Sequence, residues 1–317
     1  MPIKPARLHY GDTLGIIAPA SAPPDPKAID YSVGVLEKLG FKVKLGRHVR
    51  KRLGFLAGAD RDRAADLMTM FTDHLVRGIL CVRGGYGTAR LLSLLDYQII
   101  RTHPKVFVGY SDITSLHFAF LKKSNLVTFH GPMLNSDFIR ENFPSFTLHS
   151  FLRTLMQPNP PGSILQGYRK KTVSILRRGQ ASGQLLGGNV SLICAALGTA
   201  WLPSFRDKIL FLEDLDEVPY RFDRMLTQLL NAGLLQQTAG IAIGINANCE
   251  DPKGRRSTEY RQTLDDVLKE RLRPLKVPII SGLPFGHIPF NATLPVGIRA
   301  TLDADQGDLT INEGAVR

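Results

Sequence analysis

In the first third of the chain, short apolar runs alternate with segments of helical period, and few architectures satisfy that alternation. Residues 14–18 form a compact apolar run followed by Pro- and Ser-containing turn residues. Ile29, Val33, Leu36 and Leu39 then recur at helical spacing, with Gly40 as the stop. Residues 41–45 read as a second strand. Asp60 is the expected cap of a helix that carries Ala64, Leu67, Met68, Phe71 and Leu75 on one face. Residues 78–82 and 106–109 supply a third and a fourth strand. Strands separated by helices of this length pair in parallel and are covered on both faces, which gives an α/β fold. In such sheets ligands collect beyond the carboxyl ends of the strands.

The pattern then changes. Pro144, Pro158, Pro160 and Pro161 mark a linker or crossing segment. Residues 173–176, 209–212, 241–245 and 277–281 are strand candidates. Helices are expected over 189–197, 220–232 and 257–272, and residues 292–312 suggest a hairpin closed at 303–307. The expected division is residues 1–142 as a parallel-sheet domain, 143–170 as the crossing segment and 171–317 as a smaller mixed α/β domain.

The bulk composition excludes several classes. The chain has 317 residues, 44% of them hydrophobic, enough to bury a substantial core. No run approaches the ~18 apolar residues of a membrane span, and the N-terminus lacks the pattern of a secretory signal. Cys81, Cys194 and Cys249 form an odd set with no C-x-x-C pair, which suits a reduced, cytoplasmic setting. A net charge of +12 raises the question of nucleic acid. The basic clusters at 47–52, 169–178 and 255–256 lack interleaved aromatic residues, so solvated basic faces are the better reading. H-E-x-x-H, paired C-x-x-C and calcium-type acidic loops are absent, so neither a metal nor a cofactor is expected.

Ser111 lies in Val106-Phe-Val-Gly-Tyr-Ser-Asp-Ile-Thr-Ser-Leu-His117, where an apolar strand turns directly into a helical pattern. A sharp strand-to-helix turn lifts one side chain clear of the sheet and aims the first free N–H groups at whatever it attacks. Ile113 stands where a G-x-S-x-G elbow has its second glycine, and an ordinary helix N-cap is the competing reading of Ser111. Arg83-Gly-Gly-Tyr-Gly87 follows the third strand. It lacks dinucleotide and ATPase spacing, and it suits an oxyanion donor beside Ser111, with a packing turn as the alternative.

A serine nucleophile needs a base, and the base needs an orienting acid. His117 is almost two turns beyond Ser111 and should point elsewhere. His9, His48, His74, His103 and His149 lie in polar stretches and read as exposed. His287, on the Pro/Gly-rich loop after the strand at 277–281, is the stronger candidate, with His130 as runner-up. Glu213 closes the strand Lys208-Ile-Leu-Phe-Leu-Glu213 and is a candidate acid, with Glu217 as its rival. Arg221 and Arg224 are candidates for holding a substrate carboxylate, or are helix-surface charge. Cys81 sits in an apolar strand, where thiols are usually inert.

Together these segments resemble the LD-carboxypeptidase family of serine peptidases. The resemblance covers nearly the whole chain. It is carried by Gly15-Ile-Ile-Ala-Pro-Ala-Ser21, Arg83-Gly-Gly-Tyr-Gly-Thr-Ala-Arg-Leu-Leu92, Gly109-Tyr-Ser-Asp-Ile-Thr114 and His130-Gly-Pro-Met133 in the first half. In the second half it is carried by Gly187-Gly-Asn-Val-Ser-Leu192, Phe211-Leu-Glu-Asp214, Tyr220-Arg-Phe-Asp-Arg224, Gly286-His287, Asn291 and Leu294-Pro-Val-Gly297.

The resemblance implies a flavodoxin-like N-terminal domain, a site at the junction with the C-terminal domain, and commonly a dimer. It implies Ser111 as nucleophile, Glu213 as acid and His287 as base. It also implies release of terminal D-alanine from murein tetrapeptide, a step of peptidoglycan recycling, with no cofactor. The backbone N–H groups of Gly85 and Asp112 would then hold the oxyanion. A sister activity on peptidyl-nucleotide antibiotics, as in the microcin-immunity relatives, would need an aromatic shelf, for which Trp201 is the only tryptophan. A catalytically silent binding protein is a further alternative.

Overall fold

A computed structural model describes residues 1–140, 142–169, 171–250 and 262–317. The first sheet takes β1 (Thr13–Ile17), β2 (Lys42–Leu45), β3 (Val76–Cys81), β4 (Val106–Gly109) and β5 (Thr128–His130). These five strands are parallel, in the order 2-1-3-4-5. That is the flavodoxin-like order, with its switch point between β1 and β3. Successive side chains serve opposite faces of the sheet. Ile17, Ile79 and Phe107 pack with Leu67 and Phe71 of α2 (Asp60–Thr72). Ile16, Leu80 and Val108 pack instead with Ile29 and Leu36 of α1 (Ala28–Lys38). Two short helices, α3 (Tyr97–Thr102) and α4 (Thr114–Ala119), flank β4 in the chain.

The second half contributes α5 (Ser145–Met156), β6 (Gly162–Ser163), β7 (Ser174–Arg177), β8 (Gln180–Asn189), α6 (Val190–Ala195) and β9 (Lys208–Glu213). It continues with α7 (Pro219–Asn231), β10 (Gly240–Gly244), α8 (Leu264–Leu272), β11 (Ile279–Leu283), β12 (Leu294–Val296), β13 (Arg299–Asp303) and β14 (Asp308–Ile311). The second sheet runs 6-14-13-8-9-10-11-7, with a parallel centre from β8 to β11 and antiparallel flanks. Its central strand β10 is buried at every position, as expected of a strand covered on both faces.

Five sequence expectations need correction. Ala59, not Asp60, occupies the N-cap of α2; Asp60 sits in the first turn and binds Arg63 and Arg90. Leu75 lies beyond α2 and is exposed, and Met70 fills the core instead. The proline-marked stretch contains the three-turn helix α5, because Pro144 stands outside its first turn and the other prolines follow its end. The ten-residue strand β8 went unrecognised behind three glycines. Finally, residues 292–312 are not one hairpin: β13 and β14 form it, whereas β12 pairs antiparallel with β5 and completes the first sheet. Of the helix expected over 257–272, residues 257–261 lie outside the described residues, as does the basic pair at 255–256.

Candidate active site

The loops that leave β3, β4, β9 and β11 meet at one cavity of about 450 Å³. Each parallel strand delivers its next residues beyond its carboxyl end, so both sheets feed the same crevice. Ser111, Gly85 and His287 line it, with Arg83, Arg140 and Asp214.

Ser111 follows an extended Tyr110 and has φ of 65°. A side chain in that region costs about 1–2 kcal/mol, so the surrounding packing must impose it. Two glycines make room for the turn. A methyl group on Gly109 would lie 2.8 Å from Ile113 Cγ1, and one on Gly84 would lie 2.8 Å from Ser111 Cβ. The N-cap reading does not hold, because Ser111 is the first residue of a 3₁₀ turn that runs into α4, and the cap position is Tyr110.

The glycine loop is tied to this turn from below. Asp112 is buried; its carboxylate accepts from Thr88 N–H at 2.8 Å, and its carbonyl accepts from Thr88 Oγ1 at 2.6 Å. Burial holds its carboxyl above the usual range, against the Thr88 hydrogen bonds. The buried Arg63 guanidinium donates to the carbonyls of Gly87 and Pro19. Tyr86 N–H donates to Ser21 Oγ at 3.1 Å. Gly85, at φ of 107°, makes no hydrogen bond through its N–H among the described residues. The Asp112 N–H opens the 3₁₀ turn, where the first donors of a helical segment lack internal partners.

Glu213 ends β9 with its side chain fully buried, and its Oε2 lies 2.7 Å from His287 Nδ1. The other carboxylate oxygen, Oε1, has no partner among the described residues. Gly286 allows this approach: at φ of 108°, a Cβ there would lie 3.0 Å from both Glu213 Cβ and Oε2. Burial disfavours charge on His287, but the Glu213 carboxylate, helped by Asp214 and Asp137, outweighs it, and the imidazole pKa lies above its ordinary value. The ring packs edge-on against Tyr110 with centroids 4.9 Å apart. With Nδ1 committed to the carboxylate, Nε2 is the nitrogen left for proton exchange. No hydrogen bond joins Ser111 to His287 among the described residues; the two share the cavity wall.

Helix α5 braces the loop that carries His287. Thr147 Oγ1 accepts from Asn291 N–H at 2.9 Å and donates to the Pro289 carbonyl at 2.7 Å. Ser150 Oγ accepts from Thr293 N–H at 3.0 Å, and Asn291 Oδ1 accepts from Gly286 N–H at 3.2 Å.

The other candidates fall elsewhere. His117 is buried between Gly109 O and Thr128 Oγ1, and burial lowers its pKa to about 4. His130 ends β5 among Tyr110, Phe211 and Phe285, with both ring nitrogens unpartnered. Burial drives its pKa well below normal, and it does not line the cavity. His48 is only 16% exposed and bonds Asp66 at 2.8 Å, contrary to its exposed reading. Glu217 faces Arg221 at 3.8 Å, so that pair occupies itself; neither Arg221 nor Arg224 lines the cavity. Cys81 is fully buried, and burial raises its thiol pKa far above the ordinary range. Trp201 packs against Tyr97, ring centroids 5.4 Å apart and tilted by 34°, and lines a separate apolar pocket. No cluster of three metal-ligating side chains occurs among the described residues, and no described helix is long and apolar enough to cross a membrane.

Sequence reasoning missed Thr88, Arg63 and the α5 hydroxyls. Their contacts join positions between 24 and 144 residues apart, and no local pattern encodes them.

Residues 14–131 match the model of the LD-carboxypeptidase N-terminal domain, and residues 182–302 match that of its C-terminal domain. The chain belongs to the LD-carboxypeptidase family. A protein of Bacillus subtilis (strain 168) named "Probable murein peptide carboxypeptidase" is 40% identical over 311 residues, covering 98% of this chain and 95% of that one. The crystal structure of muramoyltetrapeptide carboxypeptidase from Oxalobacter formigenes superposes with a TM-score of 0.82 at 33% identity, covering 95% of this chain and 99% of that one. The microcin C7 self-immunity protein MccF in its apo state superposes with a TM-score of 0.88 at 25% identity, and both chains are covered in full. As an LD-carboxypeptidase family member, the chain is an enzyme of the carboxypeptidase class.

Proposed function

We propose that this LD-carboxypeptidase is a serine enzyme that releases the terminal D-alanine of murein tetrapeptide. The observation that carries this reading is the 2.7 Å Glu213–His287 contact in the wall of the cavity that also holds the strained Ser111. His287 Nε2 takes the Ser111 proton as Oγ attacks the carbonyl that precedes D-alanine. Glu213 fixes the imidazole tautomer and stabilises the cation that forms. The N–H groups of Gly85 and Asp112 receive the oxyanion, where each donor contributes roughly 10²–10³ in rate. His287 returns the proton to the departing amine, and water, activated in the same way, releases the acyl group from Ser111.

The position of Trp201 supports a peptide over a peptidyl-nucleotide substrate, since the only tryptophan lies outside the catalytic cavity. Incubation with murein tetrapeptide tests the proposal. Free D-alanine from the wild type and none from Ser111→Ala is the expected result. Cleavage of an aminoacyl-adenylate analogue with no release of D-alanine would overturn it. The mechanism uses no metal, so a chelator should leave the rate unchanged.

A further inference from the structure

The catalytic cavity has two walls of different charge. The loops after β8 and β9 give Asn189, Ser191 and Asp214; the first-sheet half gives Arg83 and Arg140. The Asp214 carboxylate is already saturated. It accepts from Asn189 Nδ2 at 2.8 Å, Ser191 N–H at 2.9 Å, Ser191 Oγ at 2.8 Å and Leu215 N–H at 2.9 Å. Its bonds tie the end of β8 and the start of α6 to the end of β9 within the second sheet. The cations differ from each other. Arg140 is exposed, donates through Nε to the Ser136 carbonyl at 3.1 Å, and has the Asp137 carboxylate as electrostatic neighbour. Arg83 is half-buried, and among the described residues its guanidinium has neither a carboxylate nor a hydrogen-bond acceptor.

A guanidinium at the cavity wall with no acceptor among the described residues is free to take a carboxylate through two parallel N–H···O bonds. Position matters as well. Arg83 immediately precedes Gly84, the residue that packs against Ser111 Cβ. In a peptide cut before its last residue, the scissile carbonyl and the terminal carboxylate are separated by a single residue, at most about 3.6 Å. The receiving cation must therefore be rooted next to the nucleophile. Arg83 is so placed.

We propose that Arg83 receives the free terminal carboxylate of the peptide substrate and thereby makes the enzyme an exopeptidase. This rests on Ser111 being the nucleophile. A peptide extended by another residue presents a neutral amide to Arg83 and leaves the guanidinium unpaired, so it is refused on charge.

The test compares a tetrapeptide ending in D-alanine with its terminal carboxamide, for wild type, Arg83→Gln, Arg83→Lys and Arg140→Gln. Melting curves confirm that each variant is folded. The wild type should prefer the free acid. Arg83→Gln should lose about 10²-fold in kcat/KM on the acid and little on the carboxamide, so the preference collapses. Arg83→Lys should retain part of it, since an ammonium keeps the charge without the fork, and Arg140→Gln should retain it in full. An equal loss on both substrates, or collapse in Arg140→Gln, would overturn the assignment. Should the wild type release no D-alanine, the proposed function fails separately. Calorimetry of Ser111→Ala with N-acyl-lysyl-D-alanine and its amide then decides. A preference for the acid that disappears with Arg83→Gln upholds the assignment, and equal binding of acid and amide refutes it.

Discussion

Gly84 and Ser111 face each other so closely that a single added carbon on the glycine would lie 2.8 Å from Ser111 Cβ and 3.0 Å from its Oγ. The loop after β3 is thus the mould against which Ser111, the proposed nucleophile, is set. Gly84→Ala should leave the melting temperature within a few degrees of wild type, because the serine turn can yield. It should lower kcat at least 10²-fold, the usual consequence of displacing a reacting atom by about 1 Å. An unaffected kcat would show that Ser111 is not held where the reaction needs it.

Ser111 itself should show opposite effects on stability and activity. Its φ of 65° strains a side chain and suits glycine. Ser111→Gly should abolish turnover yet raise stability by up to about 1 kcal/mol in chemical denaturation. Ser111→Ala should be equally inactive without that gain. A destabilised glycine variant would mean that the serine makes compensating contacts.

The Glu213–His287 pair sets the pH response. With its pKa raised, His287, the proposed base, becomes neutral only at a pH above that of an ordinary histidine, so the rate should climb there. Stability runs the other way. The ion pair contributes fully below the unfolded histidine value and fades as pH rises through the raised, folded one. Glu213→Gln removes the attraction but not the burial, so the acid limb of kcat/KM should move to lower pH. At its own optimum the variant should be slower by about 10³–10⁴-fold, because the tautomer is no longer fixed. An acid limb that stayed put would assign the titration to another group.

Thr147 lies 140 residues before His287 and touches neither the base nor the cavity lining. Its hydroxyl nonetheless joins Asn291 and Pro289 in the loop that carries the base. Thr147→Val keeps the shape and strands a buried N–H, for an expected loss of about 1–3 kcal/mol in unfolding free energy. kcat should fall with KM almost unchanged, since the loop, not the substrate pocket, loses its anchor.

What could be read from the chain depended on whether the determining forces were local. The parallel strands of the first sheet are short apolar runs, and Ser111, Glu213 and His287 each stand just beyond such a run. Strand ends are where a doubly wound sheet exposes its chemistry, which marks the three as candidates; the choice of Glu213 over Glu217 rests on the family resemblance. β8 was invisible because its glycines answer to neighbours distant in sequence. A Cβ on Gly187 would lie 1.9 Å from Phe211 O, and one on Gly188 would lie 2.4 Å from Thr114 Oγ1. α5 was obscured by the prolines around it, although Phe146, Phe151 and Leu155 do form a buried face. The Thr88–Asp112 and Arg63–Gly87 ties have no signature at all. They exist only once β3 and β4 lie side by side.

Because β12 pairs with β5, the first sheet cannot be completed until residues 294–296 have been made. A ribosome releases the early strands long before residues 294–296, so the nascent protein must wait with the edge of β5 uncovered. The sheet that carries Ser111 is finished almost last, after the loop bearing His287 has also emerged. Truncation anywhere before Val296 should leave an open-edged, aggregation-prone intermediate in place of a smaller working enzyme.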